Sequence, residues 1–131
     1  MRASTSQSPS PLNFLFVYGT LRTGEMRHDM LASGRILSII PASVAGQLLD
    51  FGAYPGLVHG QNGSRVQGEL IEFEAFEQIS RLIDEEEGPD FTREGIECTV
   101  SDGRIYQAWV YRFVGRTAGA PVSSCGDWCA R

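Results

Sequence analysis

The spacing of apolar and polar positions changes period once along the chain. Residues 66–73 alternate Val, Gly, Leu and Glu, the period of a strand with two unlike faces. From residue 74 to 87 the spacing becomes three and four: Phe76, Ile79, Leu82 and Ile83 form one stripe, which predicts an amphipathic helix. Gly88-Pro89 ends it, since glycine suits the position after a helix and proline cannot continue one. Beyond lie two strand patterns, residues 92–100 and 105–114. Ser101-Asp102-Gly103-Arg104 joins them, and its Asp-Gly pair predicts a hairpin.

The first half of the chain reads less evenly. Residues 12–18 are a short apolar and aromatic run that stops at Gly19, the pattern of a buried strand entering a tight loop. Residues 24–31 have helical character, with Met26, Met30 and Leu31 inward, and Gly34 ends or bends that segment. Residues 35–40 predict a short strand interrupted by Pro41. Residues 43–50 predict another, with Val44, Gly46, Leu48 and Asp50 on one face. Residues 51–57 read as a loop by composition. The Ser- and Pro-rich residues 1–12 predict a flexible tail ahead of a single domain, residues 13–131. Residues 115–131 predict irregular chain anchored at Trp128. Many strands with one clear helix and one weaker one give an α+β class: a small curved mixed sheet or barrel with one or two helices.

Charge narrows the partners. The formal net charge is −5, and all eleven basic residues are scattered arginines. Nucleic-acid binding needs clustered cations, so it is not expected. No run has the length of a membrane span. Three cysteines, Cys98, Cys125 and Cys129, without a secretory signal predict reduced thiols and a cytoplasmic protein. Ligand spacing for a metal is missing, so no metal is expected. Cys98 has no histidine near it in sequence to activate it as a nucleophile.

Two places carry candidate chemistry. In Val17-Tyr18-Gly19-Thr20-Leu21-Arg22 a glycine follows an apolar strand directly. A ligand can approach such a backbone closely, and the N–H groups of Thr20 and Leu21 can converge on a carbonyl oxygen or an anion. In Asp84-Glu85-Glu86-Glu87-Gly88 four acids end a helix, where the dipole already disfavours negative charge. Such a run is either a solvated acidic helix end or a place where one of the acids has a use. Helical spacing puts Glu86 and Glu87 on the stripe of Ile79 and Ile83, and pairs Glu85 with Arg81 on the surface. A part-buried carboxylate there has the setting of a general base. His28 reads as structural, His59 as solvated, and Tyr54 and Tyr111 as core residues or pocket walls.

These segments carry a resemblance. Tyr18-Gly19-Thr20-Leu21 is similar to the Tyr-Gly-Ser/Thr-Leu motif of the gamma-glutamylcyclotransferase-like family, which includes the gamma-glutamylamine cyclotransferases. Gly24 and His28, Gly52-Ala53-Tyr54-Pro55-Gly56-Leu57, Val66-Gln67-Gly68-Glu69-Leu70, Ile83-Asp84-Glu85-Glu86-Glu87-Gly88, Ala108-Trp109-Val110-Tyr111 and Gly126-Asp127-Trp128 resemble its later signposts, in order. The resemblance implies a compact mixed fold on a small barrel. It implies an enzyme, cofactor-independent, acting on a small gamma-glutamyl compound and releasing 5-oxoproline. The family's acid falls on Glu87 as general acid/base, with Tyr18, Gly19, Thr20, Leu21, Arg22, Tyr54 and Phe91 around the substrate. One departure is visible: the family's Tyr-x-Arg pattern has Phe91 in the tyrosine position, followed by Thr92-Arg93. The competing expectation is a non-catalytic module that binds a small metabolite on the same fold.

Overall fold

A computed structural model describes residues 13–19, 34–52, 54–60, 63–115, 121–122 and 126–127. The segments expected as a tail (1–12), an early helix (24–31) and an anchor (Trp128) lie outside these residues. The elements, in chain order, are β1 (Phe14–Val17), β2 (Ile36–Ala45), β3 (Gln47–Asp50), β4 (Pro55–Val58), β5 (Arg65–Phe73), α1 (Phe76–Glu87), β6 (Phe91–Val100) and β7 (Ile105–Phe113).

Five strands close on themselves. The sheet runs β1-β5-β2-β6-β7, and β1 pairs again with β7, Leu15 opposite Trp109. The pairs are antiparallel except β1–β7 and β4–β7. The β3–β4 hairpin hangs from β7 outside the ring.

Side-chain alternation sorts the apolar residues into two cores. Phe16, Tyr18, Val44, Val66, Leu70, Cys98, Val100, Ala108 and Val110 fill the barrel. Leu15, Val17, Ile71, Phe73 and Tyr111 point outward and meet Phe76, Ile79 and Ile83 of α1. Burying each of those three helix side chains is worth about 2 kcal/mol. Leu82, expected on the same stripe, is 47% exposed, because the contact face is only three residues wide. Inside the barrel Gly68 keeps β5 free of a side chain where the Phe16 ring and the Val17 carbonyl press against it.

The structure corrects the first-half reading in three places. Pro41 does not interrupt β2: the strand runs through it, with Pro41 opposite Glu69 of β5. Its missing N–H costs nothing because β6 pairs only with Ala42 and Ser43 and ends at Val100. The expected strand over residues 43–50 is two strands, broken at Gly46, whose φ of 152° turns the chain out of the ladder. Residues 55–57, expected as loop, belong to β4, and the turn is confined to the residues before Pro55; the Phe51 N–H donates to the Tyr54 carbonyl at 3.1 Å.

The later elements follow the sequence pattern. The β6–β7 hairpin closes with Val100 N–H on the Arg104 carbonyl at 3.0 Å and Gly103 N–H on the Val100 carbonyl at 2.9 Å. The C-terminal stretch is less irregular than expected, since Val122 bridges Leu49 and Asp127 bridges Gln67. Among the described residues no helix is long and apolar enough to cross a membrane.

Candidate active site

Two strands share one edge of β7. The first, β1, lies against it at Trp109; β4 takes over at Arg112, opposite Leu57. Between these contacts the strands part, and Tyr18 fills the gap. Its hydroxyl donates to the Tyr111 carbonyl at 2.7 Å and accepts from the Leu57 N–H at 3.0 Å. The phenol thus stands in for ladder hydrogen bonds that neither strand makes there. Gly19 is the next residue. A Cβ on it would lie 2.7 Å from the Pro55 ring, so only glycine lets β1 end this close to β4.

Helix α1 brings the acids to the same end. It starts beside Asn13, whose side-chain oxygen accepts the Phe76 N–H at 3.2 Å. Twelve residues later, about 18 Å on, its last turn reaches the outer face of β7 where β1 stops. No basic residue lies in that turn, and Gly88, at φ 76°, closes it with its N–H on the Asp84 carbonyl at 3.2 Å. Asp84 is held from two sides. The Tyr111 hydroxyl donates to its Oδ1 at 2.5 Å. Arg93 grips it with Nε at 3.1 Å and Nη2 at 3.3 Å, and the guanidinium lies over the Trp109 ring, 4.7 Å from its centroid. Burial pushes the Tyr111 phenol well above its usual pKa; the Asp84 hydrogen bond and charge add to this, Arg93 opposes it, and Glu87's charge adds to it. Glu87 is therefore within electrostatic reach of that phenol.

Of the acids, Glu87 is half-buried at the helix end, while Glu85 and Glu86 are exposed; Glu86 does not share the inward stripe. Arg81 and Glu85, expected as a surface pair, make no ion pair among the described residues. Gly19 is buried at the strand end. Tyr18, expected as a substrate contact, turns into the barrel, where its hydroxyl bonds two backbone groups and holds the site's frame. Thr20, Leu21, Arg22, Gly24 and His28 lie outside the described residues. Tyr54 is 40% exposed, with Phe51 stacked on it at 5.3 Å and Phe91 tilted against it at 6.3 Å. Phe91 folds back beside the helix end, its N–H on the Gly88 carbonyl at 3.4 Å, and its ring packs against Tyr54 and Phe113.

Asp84, Arg93 and Tyr111 form a group that the sequence pattern did not single out. Two modest signals pointed to it: Asp84 precedes Glu87 by one helical turn, and the hairpin register puts Arg93 opposite Tyr111. His59 is exposed, with Nδ1 3.3 Å from Arg112 Nη1. Cys98 is buried inside the barrel, and burial pushes its thiol up to about 12, which leaves no thiolate for nucleophilic chemistry. Among the described residues, His, Cys, Asp and Glu nowhere gather in threes as a metal-ligand set. A groove of about 660 Å³ lies at the other end of α1, between Asn13, Gln78 and Trp109; none of the expected site residues lines it.

Comparison with known proteins bears on this geometry. The family described as "Gamma-glutamyl cyclotransferase, AIG2-like" matches residues 15–130. A Vibrio cholerae protein named "Putative gamma-glutamylcyclotransferase" is 31% identical over 119 residues, 91% of this chain and 97% of that protein. The gamma-L-glutamyl-butirosin B gamma-glutamyl cyclotransferase of Niallia circulans is 42% identical over 105 residues, 74% of this chain and 64% of that one. Among solved structures, an AIG2-like protein from Mus musculus superposes with a TM-score of 0.69 at 25% identity, covering 86% of both chains. YkqA from Bacillus subtilis gives 0.69 at 27% identity, and this chain spans 39% of it. The closed five-strand ring, the glycine at its seam and the match over nearly the whole chain have one reading: the chain belongs to the gamma-glutamyl cyclotransferase, AIG2-like family of enzymes.

Proposed function

We propose that the protein cyclises the gamma-glutamyl group of a small gamma-glutamyl amide, releasing 5-oxoproline and the free amine, with Glu87 as general acid/base. The substrate's α-ammonium cannot attack until it loses a proton. Glu87 accepts that proton. The freed nitrogen attacks the side-chain amide carbon, a new C–N bond closes the five-membered ring, and the carbonyl oxygen becomes an oxyanion. The N–H groups of the Gly19-Thr20-Leu21 loop receive it. Collapse of the intermediate breaks the original amide C–N bond; Glu87 returns its proton to the leaving nitrogen, then takes the extra proton from the new ring nitrogen and passes it to the departing amine, which leaves as an ammonium. Both reacting groups belong to one molecule, so positioning supplies much of the acceleration and no cofactor is required. Arg22 suits the substrate's α-carboxylate by bidentate pairing. The aromatic pair Tyr54 and Phe91 suits the body of the leaving amine, while Tyr18 keeps the loop in place. Residues 13–131 act as one domain, and the reduced cysteines suit the cytoplasm.

The observation that supports this most is the arrival of the last turn of α1, with half-buried Glu87, at the seam where β1 ends in Gly19. The names of the relatives support the gamma-glutamyl substrate class. The test is incubation with a panel of gamma-glutamyl compounds, reading 5-oxoproline. Turnover by the wild type that falls about a hundredfold or more in Glu87→Gln is expected. Ligand binding without turnover would transfer the reading to a metabolite-binding module.

A further inference from the structure

We propose that Tyr111 is a positioning residue that fixes Glu87 relative to the Gly19 loop, through the hydrogen bond of its phenol to Asp84. This rests on the reading of Glu87 as the base.

The need for such a device follows from the helix end. Four consecutive acids sit in the last turn of α1 with no basic residue among them. Their mutual repulsion and the negative end of the dipole both favour fraying of that turn. Glu87 is its last residue, so any fraying moves the carboxylate first. Asp84, one turn back, is tied to the barrel wall by Tyr111 at 2.5 Å and by Arg93 at 3.1 and 3.3 Å. The Asp84 carbonyl in turn receives the N–H of Gly88, immediately after Glu87. Holding Asp84 therefore holds both sides of Glu87.

Tyr111 differs from Arg93 in what its other end touches. The carbonyl of Tyr111 accepts the Tyr18 hydroxyl at 2.7 Å, and Tyr18 is followed directly by Gly19. One residue thus links the turn that carries the acid, through its side chain, to the strand end that carries the loop, through its main chain. The ring is buried among the residues of the outer core, so it cannot swing. The phenol keeps its proton, because burial and the Asp84 charge both oppose losing it, and the link stays a donor across the working pH range.

The test is Tyr111→Phe, which keeps the ring, its packing and the carbonyl, and removes only the phenol oxygen. Turnover of the best gamma-glutamyl substrate should fall about tenfold in kcat with KM within about twofold, the direction expected when a reacting group is displaced while substrate binding persists. In a Glu87→Gln background the same substitution should cost nothing further, since Tyr111 acts through Glu87. Hydrogen exchange at Gly88, read without any substrate, should quicken in Tyr111→Phe while amides of β5 keep wild-type rates. An unchanged kcat with active wild type, or an equal loss in both backgrounds, would overturn the proposal. So would Gly88 exchange identical to wild type, a result that stands even if no gamma-glutamyl compound is turned over and the proposed function itself fails.

Discussion

The hydroxyl of Tyr18 gives its proton to the carbonyl of Tyr111 at 2.7 Å and takes one from the N–H of Leu57 at 3.0 Å, joining the ends of three strands at one atom. Both backbone partners are buried. Tyr18→Phe would leave each without its partner, so a loss of about 2–4 kcal/mol of stability is expected, from two unsatisfied groups at about 1–2 kcal/mol each. Urea unfolding measures it. A loss below about 0.5 kcal/mol would mean that water enters the seam and takes over both bonds.

Glu87→Gln is nearly isosteric and cannot accept a proton. It should lower kcat by about a hundredfold or more and leave substrate affinity within a few-fold. The exposed neighbours serve as controls: Glu85→Gln and Glu86→Gln should turn over at nearly the wild-type rate. Loss in the Glu86 variant alone would shift the base by one residue.

Gly19 has a rigid neighbour. A Cβ there meets the Pro55 ring at 2.7 and 2.8 Å, and a proline ring cannot rotate away. Gly19→Ala should therefore destabilise the fold by about 1–3 kcal/mol, the usual scale of overpacking, and should weaken ligand binding as well by moving the strand end. Gly19→Val should do more of both. Unchanged stability together with unchanged affinity would place the binding loop elsewhere.

The alkaline limb of stability should carry the signature of Cys98. Its pKa rises from 9.0 to about 12 on folding, through burial. A folded-state pKa above the unfolded one gives a contribution that is whole below about pH 9 and is lost as pH rises toward 12, because the unfolded chain releases the proton first. The expected slope approaches about 1.4 kcal/mol per pH unit. Tyr111 adds loss of the same sign only above its ordinary value of 10.0. Cys98→Ala should flatten the stability profile from about pH 9 to about pH 12, leaving above pH 10 the part that Tyr111 contributes, and the native thiol should resist alkylation until the protein unfolds.

Local chemistry made part of this structure legible in the sequence. The stripe of Phe76, Ile79 and Ile83, the Gly88-Pro89 stop, the period-two run into Phe73 and the Asp-Gly hairpin each depend on neighbours within a few residues. Pro41 and residues 55–57 misled because their pairing is decided far away. Where β6 ends determines whether Pro41 is tolerated, and the edge of β7 makes a strand of Pro55-Gly56-Leu57. At the site, Glu87 was visible as one acid among four. The partners of Asp84 were not, because Tyr111 and Arg93 reach it only after the hairpin has folded over the helix.

The parallel contact of β1 with β7 also has a kinetic consequence. It is the join that turns five strands into a ring, and its Tyr18–Tyr111 bond spans 93 positions of chain. The β6–β7 hairpin and the β5–α1 corner close over short loops, so their entropic cost is met early. The ring join must bring the two ends of the domain together. We expect it to form last in refolding, with the seam at Gly19 completed at the same moment. Regain of ligand binding should then lag behind regain of helical signal, and a chain stalled before that join would be well structured yet unable to bind.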